Sequence, residues 1–174
     1  MAAMIHAVQT VVLAGFAILV IVAALRDVTS YTIPNWLSLA LLAAFPVAAL
    51  SLGLSLPVVG LHVAVGAGAL VAGMAMFARG WIGGGDAKLF AAAALWLGWP
   101  AIVTDLAVTG LAGGALAVVL MALRSTHVRP FVPSGPAWFG RLTERGENVP
   151  YGVAIAAGAL AAFPLSALMS HFGN

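Results

Sequence analysis

"MIHAVQTVVLAGFAILVIVAAL", residues 4–25, runs for six helical turns without one formally charged side chain. An α-helix rises about 1.5 Å per residue, so this stretch is long enough to cross a hydrocarbon core of about 30 Å. The rest of the chain repeats the pattern. Of 174 residues, 63% are hydrophobic and 7% are charged, with a mean hydropathy of +1.12, whereas soluble domains carry about 25% charged residues. The sequence is that of an integral membrane protein. No Lys or Arg precedes Arg26, so the first run lacks the basic n-region of a cleaved signal peptide and reads as a permanent helix.

Five further apolar stretches follow, over about 35–53, 57–78, 86–98, 100–123 and 150–171. The second begins after Pro34, whose fixed φ and missing N–H suit a helix start. The stretch 86–98 is short for a full crossing and calls for tilt or continuation into the preceding glycines. The expected fold is all-α, a bundle of six transmembrane helices forming a single membrane-embedded domain, 1–174. Small residues in "AVGAGALVAG" (64–73) and "TGLAGGALA" (109–117) allow close helix approach. The longest connection, 124–149, is interrupted by prolines and carries Trp138, Phe139 and Leu142, which suits a surface loop with a short interfacial turn. Trp36, Trp81, Trp96, Trp99 and Trp138 all fall near span ends and read as an aromatic belt.

Charge placement orients the bundle. Arg26 and Asp27 follow the first span, Arg79, Asp86 and Lys88 surround the connection after the third, and Arg124, Arg129, Arg141, Glu144, Arg145 and Glu147 follow the fifth. With six spans these connections share one side, and the positive-inside rule makes it cytoplasmic, with both termini outside. The other connections, "SLGLSLP" and "GWP", are short and uncharged. The net charge of +2 is too small and too dispersed for a nucleic-acid surface. There is no cysteine, hence no disulfide or thiolate metal site.

This topology brings Asp27 and Asp86 to the same end of the bundle. Two carboxylates near a low-dielectric boundary cannot easily both ionise, so such a pair shares a proton. One can then activate water as a base while the other, protonated, hydrogen-bonds a scissile carbonyl. That chemistry needs no metal and no bound cofactor. In "WIGGGDAKLF" (81–90) the glycines permit a sharp turn and close approach of a substrate backbone, with Asp86 positioned to cap the next helix. Each aspartate also has a plainer reading: Asp27 as an ion-pair partner of Arg26, Asp86 as a helix cap alone.

Three segments then show a family resemblance. "GGGDAKL" (83–89) resembles the glycine-x-glycine-aspartate motif of the GxGD aspartyl proteases, in the form found in type IV prepilin peptidases. "RDVTSYTIPNWLSL" (26–39) is similar to that family's first-aspartate segment, and "VPYGVAIAAG" (149–158) to the opening of its last helix. The resemblance implies a multi-pass endopeptidase of the bacterial inner membrane that removes the leader of prepilins or pseudopilins at the cytoplasmic boundary. It assigns Asp27 and Asp86 as the catalytic pair, and Gly83, Gly85, Lys88 and Asn35 as supporting or substrate-binding positions. Lys88 either biases Asp86 or serves only as a positive-inside residue. The missing cysteines and the direct step from the first span to Asp27 depart from the larger family members with a methyltransferase insertion. They fit the compact, peptidase-only form of tight-adherence (Flp-type) pilus systems.

Two other functions share parts of this pattern. A GxGD protease with another substrate would not need the Ile-Pro-Asn and Pro-Tyr-Gly elements. A transporter or assembly subunit would continue polar residues through the midplane, where only Asp105 stands out. Asp105 and His62 sit at similar depths, which suggests a structural contact between them. His6, His127 and His171 have no metal-ligand spacing.

Overall fold

The computed structural model of the chain describes residues 1–133 and 135–172. Among them there is no strand, and the fold is all-helical: α1 (Ala2–Ser30), α2 (Asn35–Ser51), α3 (Leu56–Ala78), α4 (Gly84–Leu97), α5 (Ala101–Leu123), α6 (Ala137–Leu142), α7 (Tyr151–Ala162) and α8 (Ala167–His171). Four segments are long and apolar enough to cross a membrane: Ala3–Ser30, Leu56–Ala78, Ala101–Leu123 and Tyr151–His171. The 17-residue α2 and the 14-residue α4 are shorter.

The first five helices fall where the sequence puts them, but the expected last helix is broken. It ends at Ala162, passes through a 3-10 turn at Phe163–Leu165, and restarts as α8. Pro164 is the cause, since proline removes a helical N–H and its ring crowds the preceding turn. The Ser166 hydroxyl then accepts a hydrogen bond from the Met169 N–H at 3.4 Å, a side-chain cap for the new start. Pro46 does not interrupt α2 in this way; neighbouring helices often accommodate such prolines in membrane bundles.

The shortness of α4 follows from its place in the core. Residues Ala91 to Leu97 are all buried, as expected of a helix that is apolar all round and enclosed by others. It packs most extensively on α3 and also touches α2, α7 and α1. Glycines set the α3–α4 approach: a Cβ on Gly66 would lie 2.9 Å from the Leu95 Cβ, and one on Gly73 would lie 3.1 Å from the Ala87 Cβ. At the centre Trp96 is fully buried, 5.1 Å from the Phe16 ring, and its indole N–H donates to the Leu41 carbonyl at 2.9 Å. Trp96 therefore leaves the aromatic belt assigned from sequence. Its N–H needs a partner when buried, and the Leu41 carbonyl supplies one. Trp36, Trp81, Trp99 and Trp138 are the more exposed tryptophans.

The expected contact between His62 and Asp105 does not form. His62 Nδ1 bonds the Leu95 carbonyl at 2.8 Å and its ring faces Phe45, while Asp105 Oδ1 accepts from the Thr109 hydroxyl at 3.2 Å. Each side chain finds a nearer partner for one of its polar atoms, one across α3–α4 and one a single turn along α5, while His62 Nε2 and Asp105 Oδ2 stay buried without a hydrogen-bond partner among the described residues.

Candidate active site

The ends of α1, α3 and α5 converge, bringing their connections together. α1 runs beyond its apolar stretch to Ser30, so Asp27 lies in its last turn with its side chain buried. The helix stops at Tyr31, which adopts the left-handed conformation with φ 52°. Asp27 Oδ2 accepts the Gly152 N–H at 2.7 Å. Gly152 stands at the start of α7, where helix N–H groups are unpaired and the helix dipole favours a negative charge. This contact is the physical content of the "PYG" segment. A Cβ at residue 152 would lie 2.9 Å from both Asp27 Cβ and Oδ2, so only glycine lets the amide come so close.

Asp86 is fixed from the other side. The N-cap of α4 is Gly83, and Asp86, in the first turn, accepts the Gly83 N–H through Oδ2 at 3.1 Å. It thus differs from the cap position expected from sequence by reaching back to the cap residue's amide, the carboxylate half of a capping box. Its other oxygen, Oδ1, is buried without a hydrogen-bond partner among the described residues. Gly85 serves the turn differently: a Cβ there would lie 3.1 Å from the Ile33 Cβ, so its absence lets the segment between α1 and α2 pack on the start of α4.

Asp27 and Asp86 line one cavity of about 440 Å³, together with Tyr31, Gly83, Glu147 and Tyr151. The charge of Asp27 acts on Asp86, so the two carboxyls are electrostatic neighbours. Burial raises the Tyr31 phenol above its ordinary value despite the nearby Arg124 guanidinium, which keeps it neutral and able to donate.

The far wall of the cavity comes from the long connection, which two arginines hold in place. Arg124 donates to three carbonyls, those of Leu142 at 2.8 Å, Glu147 at 2.7 Å and Asn148 at 2.9 Å. Arg141 donates to the Thr29 carbonyl at 2.5 Å and lies over the Tyr31 ring, joining α6 to the end of α1. The segment is, as expected, a largely exposed surface connection; its described residues carry a 3-10 turn at Arg129–Phe131 and the short helix α6, and the two arginines clamp it as a cover beside the cavity.

Of the six site residues expected from sequence, Asp27, Asp86 and Gly83 line this cavity. Asn35 and Lys88 lie elsewhere. The Lys88 ammonium donates to Asn35 Oδ1 at 3.0 Å, and both line a second, apolar cavity between α2, α3 and α4. Tyr31 and Glu147 belong to the site but are not among the residues expected from sequence, while Tyr151 and Gly152 fall in the "VPYGVAIAAG" segment that the sequence singles out without assigning either a role. Tyr31 had a local signal, lying four residues after Asp27 in the same short segment, just past the end of α1. Glu147 had none, and the "PYG" segment marks Gly152 without showing that its amide reaches Asp27, a contact that long-range folding alone makes.

These features define an all-helical membrane protein with two carboxyl groups facing a common cavity at one end of its bundle. The chain belongs to the type IV leader peptidase family, whose model matches residues 14–118. That range takes in both aspartate segments and ends before the "PYG" segment. No curated protein and no solved structure matches the chain.

Proposed function

We propose that the protein is a membrane aspartic endopeptidase that removes the leader peptide of type IV prepilins or pseudopilins, of the Flp/Tad type, at the cytoplasmic face. The single observation that carries this reading is the meeting of Asp27 and Asp86 in one cavity, each oriented by a main-chain N–H. In the proposed reaction one aspartate is ionised and takes a proton from water as that water attacks the scissile carbonyl. The other, protonated, hydrogen-bonds the carbonyl oxygen and stabilises the tetrahedral diol. Return of a proton to the departing nitrogen then breaks the carbon–nitrogen bond, leaving a new carboxyl and a new amine. Gly83 leaves room for an extended peptide beside Asp86.

The proposed topology has six spans in one domain, 1–174, with α2 and α4 completing the four longer crossings and the last span made of α7 and α8. The charged end faces the cytoplasm and both termini face outward, as the distribution of Lys and Arg favours. The test is cleavage of a purified prepilin by wild type, Asp27→Asn and Asp86→Asn in detergent or lipid. Removing either carboxyl lowers the rate by roughly 10²–10⁴-fold, the usual contribution of a positioned acid or base. Undiminished cleavage by either folded variant overturns the dyad.

A further inference from the structure

The second cavity lies away from the aspartates. Its volume is about 610 Å³, within the roughly 300–1,000 Å³ range of ligand pockets, and its walls come from α2, α3 and α4. Among the described residues, Lys88 is the only charged one that lines it. Along α4, Lys88, Ala91, Ala92 and Leu95 face this space with the spacing of one helix face, while Asp86 stands about 200° from Lys88 around the helix.

We propose that this groove binds one acyl chain of an anionic glycerophospholipid, with the phosphate held at Lys88, Asn35 and Ser38. Charge complementarity selects the headgroup. Lys88 uses one ammonium hydrogen on Asn35, which leaves two for phosphate oxygens, and the Asn35 amide and Ser38 hydroxyl supply further donors. Length selects the tail. The lining runs along α2 from Asn35 to Pro46, about 16 Å at the rise of an α-helix, or about half of a 30 Å hydrocarbon core. Its far part is lined by Phe45 and Leu95, which the buried His62 joins through its ring and its Nδ1 contact. A groove that starts at a cation and stops at mid-bilayer fits a single-leaflet chain and is too short for a transmembrane helix.

Native mass spectrometry of the full chain, released from detergent after incubation with phosphatidylglycerol or phosphatidylcholine of identical acyl chains, tests this directly. Wild type retains one phosphatidylglycerol per chain with a preference of roughly fivefold, the weight of one lysine near an anionic headgroup. Lys88→Gln abolishes the preference, Lys88→Arg preserves it, and Ala67→Trp, which places a ring in the groove, removes bound lipid of both kinds. The proposal is overturned by equal retention of the two lipids on wild type, by a preference that survives Lys88→Gln, or by lipid retained on Ala67→Trp. Displacement of the lipid by an equimolar apolar single-span peptide also overturns it, giving the groove to a protein helix. The readout is binding, so it stands or falls separately from the proteolytic reading.

Discussion

Replacing Gly152 by alanine should damage cleavage although residue 152 contributes no side chain to the chemistry. The new Cβ would lie 2.9 Å from Asp27 Cβ and Oδ2 and 3.0 Å from Ile33 Cδ1, closer than carbon and oxygen atoms pack. The carboxyl oxygen can turn away by side-chain rotation, whereas Asp27 Cβ is fixed to the backbone, so the rest of the relief has to come from movement of α1 against α7. That rotation forfeits the 2.7 Å bond from the Gly152 amide. A hydrogen bond to a charged group is worth about 1.5–3 kcal/mol, and each 1.36 kcal/mol of transition-state stabilisation is a factor of ten. The rate should therefore fall by roughly 10- to 150-fold. The assay is leader cleavage at saturating and limiting substrate by purified Gly152→Ala, alongside a thermal melt. The loss is expected in kcat, with KM little changed, because the substituted residue reorients Asp27 without reshaping the cavity's outer wall. A folded Gly152→Ala enzyme that cleaves at the wild-type rate refutes the claim that this amide orients a catalytic carboxyl.

Three other variants probe the supports of the site. Arg124→Ala removes all three carbonyl contacts of the cover, so limited trypsin digestion at Arg129, Arg141 and Arg145 should accelerate and leader cleavage should fall by roughly tenfold. Arg124→Lys should not restore either, because an ammonium cannot reproduce the planar fork of donors; full rescue by lysine speaks against the clamp. Gly66→Val forces a branched side chain into the 2.9 Å gap before Leu95 and should destabilise the bundle by about 1–3 kcal/mol, the usual cost of overpacking, read by thermal or denaturant unfolding in detergent. Asp105→Asn leaves the dyad cavity untouched and should keep cleavage within about a factor of two, well under 1 kcal/mol of barrier; loss of activity in a folded protein would place Asp105 in the chemistry.

The helices were legible because each is an apolar run bounded by proline, glycine or charge, and those features act locally. Which side of each helix faces inward was not. Leu37 and Leu41 are buried while Leu39 and Leu42, on the same helix, are exposed, yet all four are equally apolar, because lipid is as apolar as a core and leaves no polar stripe to read. Trp96 was misplaced for this reason: closeness to a span end is shared by belt and core tryptophans, and only the position of the Leu41 carbonyl distinguishes them. The break in the last helix had a visible signal in Pro164, but Pro46 carries the same signal in an unbroken helix. The aspartates were legible as a pair through topology, since charge segregation puts both at one end. Their anchoring was not, because the Gly152 amide and the Arg124 contacts depend on residues that meet only after folding.

Both carboxylates are held by amides of the main chain, at Gly83 and Gly152. Every residue type except proline has such an amide, so at Gly152 a substitution breaks the anchor by crowding it with a side chain rather than by removing the donor. The active-site geometry is thereby decoupled from most of the sequence. The geometric constraint falls on positions without side chains, Gly83 and Gly152. The placement of the two acids thus depends on the path of the backbone more than on the side chains around them.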